Sequence, residues 1–224
     1  MTKTALIFGS IGAVVETSEI QRQAFNAAFA EHDLDWTWEK DAYREMLKKP
    51  GGRARIERYA EERGETVDAS AIHDAKVRHF AQMMDEDTAE PRPGVLKLIC
   101  AARDAGMAIG WATATTPKTV DLILGGLFPT LPRSTFDFIG DATKVENGKP
   151  APDIYLLALD ELGVAADAAL AVEDTPEAAE AALAASIETI GFPNDMARGR
   201  DFPDGVKVVL ELSPDMLHEG DVSA

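Results

Sequence analysis

Short uninterrupted apolar runs recur along the chain, and each stops at small or polar residues. Thr4 to Phe8 ends at Gly9-Ser10, and Ala108 to Thr113 ends in Thr113-Ala114-Thr115-Thr116. Phe136 to Ile139 ends at Gly140-Asp141, and Ala168 to Val172 ends at Glu173-Asp174-Thr175. Glu188 to Gly191 and Val206 to Leu210 are weaker versions of the same pattern. Runs of about five apolar residues suit strands covered on both faces, as in a parallel sheet. Between them the spacing predicts helices with clear punctuation: Gly94 to Ala105 before Gly106, Pro117 to the Gly125-Gly126 pair, Pro152 to Gly163, and from Pro176 through an alanine-rich stretch. Proline in the first turn and glycine just past the end mark helix boundaries. Strand–helix alternation of this kind predicts an α/β fold, a doubly wound parallel sheet.

Residues 17–88 break the rhythm. They contain no convincing strand and are charged, helix-favouring and aromatic, with Phe25, Phe29, Trp36, Trp38, Tyr43, Tyr59 and Phe80. Gly51-Gly52 interrupts the segment, and Pro91-Arg92-Pro93-Gly94 marks the return. The expected organisation is a core of residues 1–16 and 89–224 with a helical insertion over 17–88. The last dozen residues are acidic and polar, which predicts a frayed end.

Composition narrows the function. The 224 residues carry 39 acidic and 22 basic side chains, a net charge of −17. Nucleic acid and anionic membranes both require a basic patch, so neither is an expected partner. A small anion remains possible, because a few local donors outweigh a distant negative surface. A single cysteine, Cys100, excludes a disulfide framework and a cysteine-cluster metal site. No apolar run approaches a membrane span and no signal peptide is evident, so a cytoplasmic protein is expected.

Ligands of open α/β sheets bind beyond the carboxyl ends of the strands. Thr113 to Thr116 before Pro117 offers hydroxyls and free N–H groups at a helix start, a natural anion site, although Thr116 also suits a plain helix cap. Lys149, fixed between Gly148 and Pro150, can neutralise a phosphate or be a solvated loop lysine. Glu173 and Asp174 suit a hard cation such as Mg²⁺, or an acidic cap ahead of Pro176.

Together these segments resemble the haloacid dehalogenase superfamily. Gly148 to Asp153 (Gly-Lys-Pro-Ala-Pro-Asp) and Val172 to Pro176 (Val-Glu-Asp-Thr-Pro) look like two of its motifs, and Thr113 matches its Thr/Ser position. The insertion is similar to its small helical cap. Glu16-Thr17-Ser18-Glu19 with Arg22, Ala24-Phe25-Asn26, Leu34 to Trp38, Tyr43-Arg44 and Gly51 to Ile56 resemble the CbbY-type sugar-bisphosphate phosphatases, relatives of β-phosphoglucomutase. That resemblance implies a phosphorylated ketopentose, xylulose 1,5-bisphosphate, as substrate, with Mg²⁺ and an aspartyl-phosphate intermediate. It implies phosphate contacts from Ser10, Thr113, Ala114 and Lys149, and substrate contacts from Glu16, Tyr43, Arg44, Gly52 and Arg53. Glu173 and Asp174 become the metal ligands. Arg55 and Arg58 are expected at the surface, paired with Glu57, Glu61 or Glu62, and Trp36 and Trp38 in the core of the insertion.

One departure decides the reading. The superfamily's hydrophobic-Asp-x-Asp-Gly-Thr motif stands here as Phe8-Gly9-Ser10-Ile11-Gly12-Ala13, and Gln21 replaces a usual histidine. Glycine cannot attack phosphorus and isoleucine cannot transfer a proton. The expected rate loss is at least ~10⁴, and Mg²⁺ binding is expected to be weak or absent. Strand alternation places Ser10 on the face opposite residue 9, and the histidines lie in the insertion (His32, His73, His79) or the tail (His218). The expectation is a catalytically impaired, sugar-phosphate-binding relative of the phosphatases. The alternatives are an active phosphohydrolase with a displaced nucleophile (Ser10, Glu16 or Asp174) and a structural or interaction protein that binds no ligand.

Overall fold

A computed structural model describes residues 2–49, 51–86 and 89–217, with backbone only for Asp85 and Glu86. Strand β1 (Ala5–Phe8) leads into a one-turn helix, α1 (Ile11–Val14). Four helices come next: α2 (Ser18–Glu31), α3 (Lys40–Met46), α4 (Gly52–Arg63) and α5 (Ala69–Glu86). The chain then alternates through α6 (Val95–Asp104), β2 (Ala108–Ala112), α7 (Pro117–Leu127), β3 (Phe138–Gly140), α8 (Asp153–Leu162), β4 (Ala169–Glu173), α9 (Pro176–Ala184), β5 (Glu188–Gly191) and β6 (Lys207–Val208). Two compact units result: Met1–Glu16 with Ala89–Ala224, and Thr17–Thr88. No described helix is long and apolar enough to cross a membrane.

The first unit is a doubly wound α/β domain. Its parallel sheet has the order β3-β2-β1-β4-β5-β6. The order reverses between β1 and β4, the position where such sheets open a crevice. Ile7 of β1 lies in register with Gly110 and Ala171, and Phe8 with Trp111 and Val172. β1 and β4 are buried throughout, which is why both read as continuous apolar runs. Ala5, Ile7 and Ala171 pack with Ile154, Tyr155 and Ala158 of α8 and with Ala181 and Ala182 of α9, whose small side chains let the helix sit close. The chain leaves and re-enters this unit side by side: Val15 bridges Pro91, and Arg92 N–H donates to Val14 O at 2.8 Å.

Two strands differ from expectation. β3 starts at Phe138 because Arg133–Thr135 forms a 3₁₀ turn, and the Asp137 carboxylate, rather than a main-chain carbonyl, accepts Ile109 N–H at 2.7 Å. β6 shrinks to two exposed edge residues, and Leu210 just beyond it is exposed as well. The expected fraying of the last dozen residues fails for Pro214–Leu217, a 3₁₀ turn that buries Leu217; residues 218–224, His218 among them, lie outside the described residues.

The second unit is helical, built on α2 and α5. Trp38 is its hub, with ring centroids 4.7 Å from Phe29, 4.8 Å from Phe25 and 6.0 Å from Tyr43. Trp36, Trp38 and Tyr43 are buried. Gly51 stands ahead of α4 at φ +92°, a left-handed value that favours glycine and turns the chain between α3 and α4.

Candidate functional site

The carboxyl ends of β1 and β4 bring together four of the expected residues: Ser10, Lys149, Glu173 and Asp174. β1 stops at Phe8, so strand alternation no longer governs Ser10. It is the cap residue of α1, and its Oγ donates to Glu173 Oε2 at 2.8 Å and to Asp174 Oδ1. This corrects the expectation that Ser10 faces away. Glu173 is completely buried; its Oε1 accepts from Tyr155 Oη at 2.5 Å and from Lys149 Nζ. Lys149 Nζ also donates to Gly9 O at 2.8 Å and lies 4.8 Å from the Tyr155 ring centre. Asp174 Oδ2 accepts from Asn194 Nδ2 at 2.6 Å. Burial, and after it the Glu173 charge, push the Asp174 carboxyl up to about 6. Burial first and Glu173 second raise the Tyr155 phenol well above its ordinary range, so Tyr155 remains a donor. The helix cap ahead of Pro176 is Thr175, which accepts from Ala178 N at 3.3 Å, so neither carboxylate serves as the cap.

The volume a side chain at residue 9 would need is taken. A Cβ built on Gly9 would lie 1.9 Å from Glu173 Oε1 and 2.0 Å from Tyr155 Oη, and one on Gly12 would lie 1.8 Å from Asp174 Oδ2. Ile11 and Ala13 are buried in α1. Arg92 closes this end of the sheet: its guanidinium donates to Gly12 O (2.5 Å), Phe192 O (2.9 Å) and Pro193 O (2.6 Å), and stacks 3.5 Å from the Phe192 ring centre. Tyr155, Asn194 and Arg92 were absent from the expected site. Tyr155 follows an i, i+4 apolar helix pattern, Asn194 sits in a loop, and Arg92 reads as a turn between prolines, so none carries a local signal.

The other expected residues divide. Thr113 is buried at the end of β2, and its Oγ1 accepts from Thr115 N at 3.3 Å, which leaves the hydroxyl hydrogen free to donate; Ala114 is exposed beside it. Thr116 caps α7 through Thr119 N. Glu16 accepts from Asp195 N at 2.8 Å, a loop-to-loop contact within the sheet unit. Tyr43, Arg44, Gly52 and Arg53 belong to the helical unit. There Tyr43 is a core aromatic rather than an exposed ligand contact, because Trp38 and Phe25 pack on it. Arg44 approaches Asp41 at 3.8 Å. Gly52 lies against His73, whose Nε2 would stand 2.8 Å from an added Cβ. Arg53 is exposed and approaches Glu57 at 3.5 Å, whereas Arg55, expected at the surface, is buried and donates to Met46 O and Lys49 O, both at 3.2 Å. Helix phase explains the burial of Arg55: residues 55, 56 and 60 of α4 face inward, and 53, 57 and 61 outward. Gln21, at the position of the usual histidine, accepts from Lys76 Nζ at 2.8 Å.

Glu173 and Asp174 are the residues that would hold Mg²⁺, which takes six oxygens in near-octahedral geometry. Tyr155 and Lys149 donate to one of their four carboxylate oxygens and Asn194 to another, while the single Ser10 hydrogen is shared between Glu173 Oε2 and Asp174 Oδ1. Among the described residues no group of three or more His, Cys, Asp or Glu could hold a metal ion. The donor set as arranged does not fit a resident Mg²⁺.

Comparison with known proteins identifies relatives of the chain and of its fold. The family model described as haloacid dehalogenase-like hydrolase matches residues 4–186. Protein CbbY of Cupriavidus necator is 39% identical, over 93% of this chain and 85% of its own length. Protein CbbY of Rhodobacter capsulatus is 36% identical, over 90% of each chain. The crystal structure of CbbY from Rhodobacter sphaeroides in complex with phosphate superposes with a TM-score of 0.85 at 34% identity, over 93% of this chain and 94% of that one. A mutant of the same protein in complex with xylulose-(1,5)bisphosphate gives 0.84 at 35%, with the same coverage.

Proposed function

The chain belongs to the haloacid dehalogenase-like hydrolases, and from that premise we propose that it binds a phosphorylated sugar in a site that has lost aspartyl-phosphate chemistry. Its CbbY relatives, one of them crystallised as a mutant with xylulose-(1,5)bisphosphate, support reading it with the sugar-phosphate phosphatases of that family. The observation that carries the reading is residue 9. Gly9 offers no carboxylate at the end of β1, and the space such a carboxylate would occupy is filled by Glu173 and Tyr155. A phosphate group arriving here meets the loop N–H groups after β1, the Thr113 hydroxyl, the Ala114 N–H and Lys149 as donors. Lys149 is already matched by Glu173, so an incoming phosphate must compete with that carboxylate for the ammonium. Affinity is therefore modest and falls steeply when Lys149 is removed. CbbY of Rhodobacter sphaeroides has been crystallised with xylulose-(1,5)bisphosphate, which makes that compound the first ligand to try.

One observation favours a second reading, an active hydrolase. The Ser10 hydroxyl is a nucleophile hydrogen-bonded to two carboxylates, either of which can accept its proton, with Lys149 bound to one of them. Phosphate release from a panel of sugar phosphates, with and without Mg²⁺, separates the two. The leading reading expects no turnover above a mock preparation and calorimetric binding that Lys149→Ala abolishes. Turnover that disappears in Ser10→Ala and Asp174→Ala establishes the displaced nucleophile instead. Absence of binding by every sugar phosphate overturns both.

A further inference from the structure

We infer that the helical unit carries a ligand site of its own, in the groove between α3 and α4, for a small monocarboxylate with an apolar body. A cavity of about 230 Å³ is lined there by Glu45, Met46, Lys49, Arg55, Arg58, Tyr59 and Glu62. Every one of these residues belongs to the helical unit.

Arg55 is the anchor. It is 6% exposed, and its guanidinium lies 5.5 Å from the Tyr43 ring centre. Its protein partners are neutral: the Met46 and Lys49 carbonyls and a phenol that burial pushes up to about 12. Those two carbonyls occupy Nε and one Nη2 hydrogen, so three of the five guanidinium N–H groups have no acceptor among the described residues. A buried guanidinium without a counter-charge is costly, and burial lowers its pKa accordingly. Arg58 and Lys49 add positive charge to the same lining. A carboxylate supplies what Arg55 lacks, since its two oxygens match the guanidinium fork. Lys49, Arg55 and Arg58 against Glu45 and Glu62 leave the lining one positive charge in excess, which a monoanion balances and a phosphate dianion exceeds. Tyr59 and Met46 offer the apolar surface on which the body of the ligand rests. The volume suits a small molecule rather than a drug-sized one.

The test is a titration of the full chain with benzoate, followed by amide NMR. The expected result is saturable shifts at Met46, Arg58 and Tyr59, with affinity reduced about tenfold by Lys49→Gln/Arg58→Gln and increased by Glu62→Gln; tenfold corresponds to about 1.4 kcal/mol. Phenyl phosphate is expected to bind this groove more weakly than benzoate. These three substitutions alter exposed or half-exposed side chains and spare the fold, which a melting curve checks. No saturable shift in α3 or α4 up to millimolar benzoate overturns the inference. So do shifts confined to Thr113–Thr116 and Lys149, an affinity indifferent to both variants, or tighter binding of phenyl phosphate in the groove. Loss of sugar-phosphate binding in the sheet unit leaves every one of these readouts unchanged, so the two proposals fail independently.

Discussion

The two units bury charge in opposite ways. In the sheet unit Glu173 and Asp174 sit among Lys149, Ser10, Tyr155 and Asn194, so each carboxylate meets protein donors. In the helical unit Arg55 and Lys76 are also buried, but their hydrogen-bond partners are two carbonyls and the Gln21 amide. Buried charge is tolerated when paired and costly when not. The acidic cluster is thus a closed network packed against Gly9, while Arg55 and Lys76 have no carboxylate hydrogen-bond partner among the described residues.

The largest expected effect comes from opening the closed network. Lys149→Met leaves Glu173 buried without its cation and should cost about 3–5 kcal/mol, read from urea unfolding followed by tryptophan fluorescence. Adding Glu173→Gln should recover most of it; no recovery would mean that the two side chains are not coupled. Next in size is the overlap at residue 9. Gly9→Ala should cost about 1–3 kcal/mol, the usual range for overpacking, and less when combined with Tyr155→Phe. Gly9→Asp/Ile11→Asp should be raised in Tm by Mg²⁺ while wild type is not, because the two added carboxylates complete a donor set that Glu173 and Asp174 alone do not form. An equal Mg²⁺ response in wild type contradicts the argument from occupied oxygens.

The helical unit predicts a smaller effect of opposite sign. Burial, helped by Arg55, lowers the Lys76 pKa from its ordinary 10.5 to about 7, although the ammonium also lies 5.1 and 4.9 Å from the Phe25 and Phe80 ring centres. The unfolded chain binds the extra proton between those values, so this group makes stability rise as pH climbs from about 7 towards 10.5, with its penalty fully present below 7. Lys76→Met should remove that slope and raise Tm at neutral pH by about 3 °C; a fall in Tm would show that the amine is stabilising where it lies. Smallest is Arg53→Ala, which loses an exposed pair to Glu57 and should change stability by less than about 0.5 kcal/mol.

The sheet was legible because burial on both faces leaves an unmistakable apolar run, and because Pro117, Pro176 and Gly163 punctuate helices where the chain needs them. Ser10 departs from strand alternation because β1 ends at Phe8 and residue 10 is already a helix cap. Arg55 is buried against expectation, although the apolar pair Ile56 and Ala60 already fixes the phase of α4. Tyr155, Asn194 and Arg92 act through contacts 18, 20 and 80 to 101 residues away in sequence. Local pattern carries no trace of such contacts. That residues 9 and 11 carry no carboxylate is plain in the sequence, whereas the closeness of Glu173 and Tyr155 to Gly9 is not.

The central claim is that the site binds a sugar phosphate without cleaving it. Its most direct test is a calorimetric titration of xylulose 1,5-bisphosphate into the wild-type protein with Mg²⁺ present, with inorganic phosphate measured in the cell afterwards. The account predicts a saturable heat, lost in Lys149→Ala, and no released phosphate. Phosphate released in proportion to the enzyme and to time would contradict it.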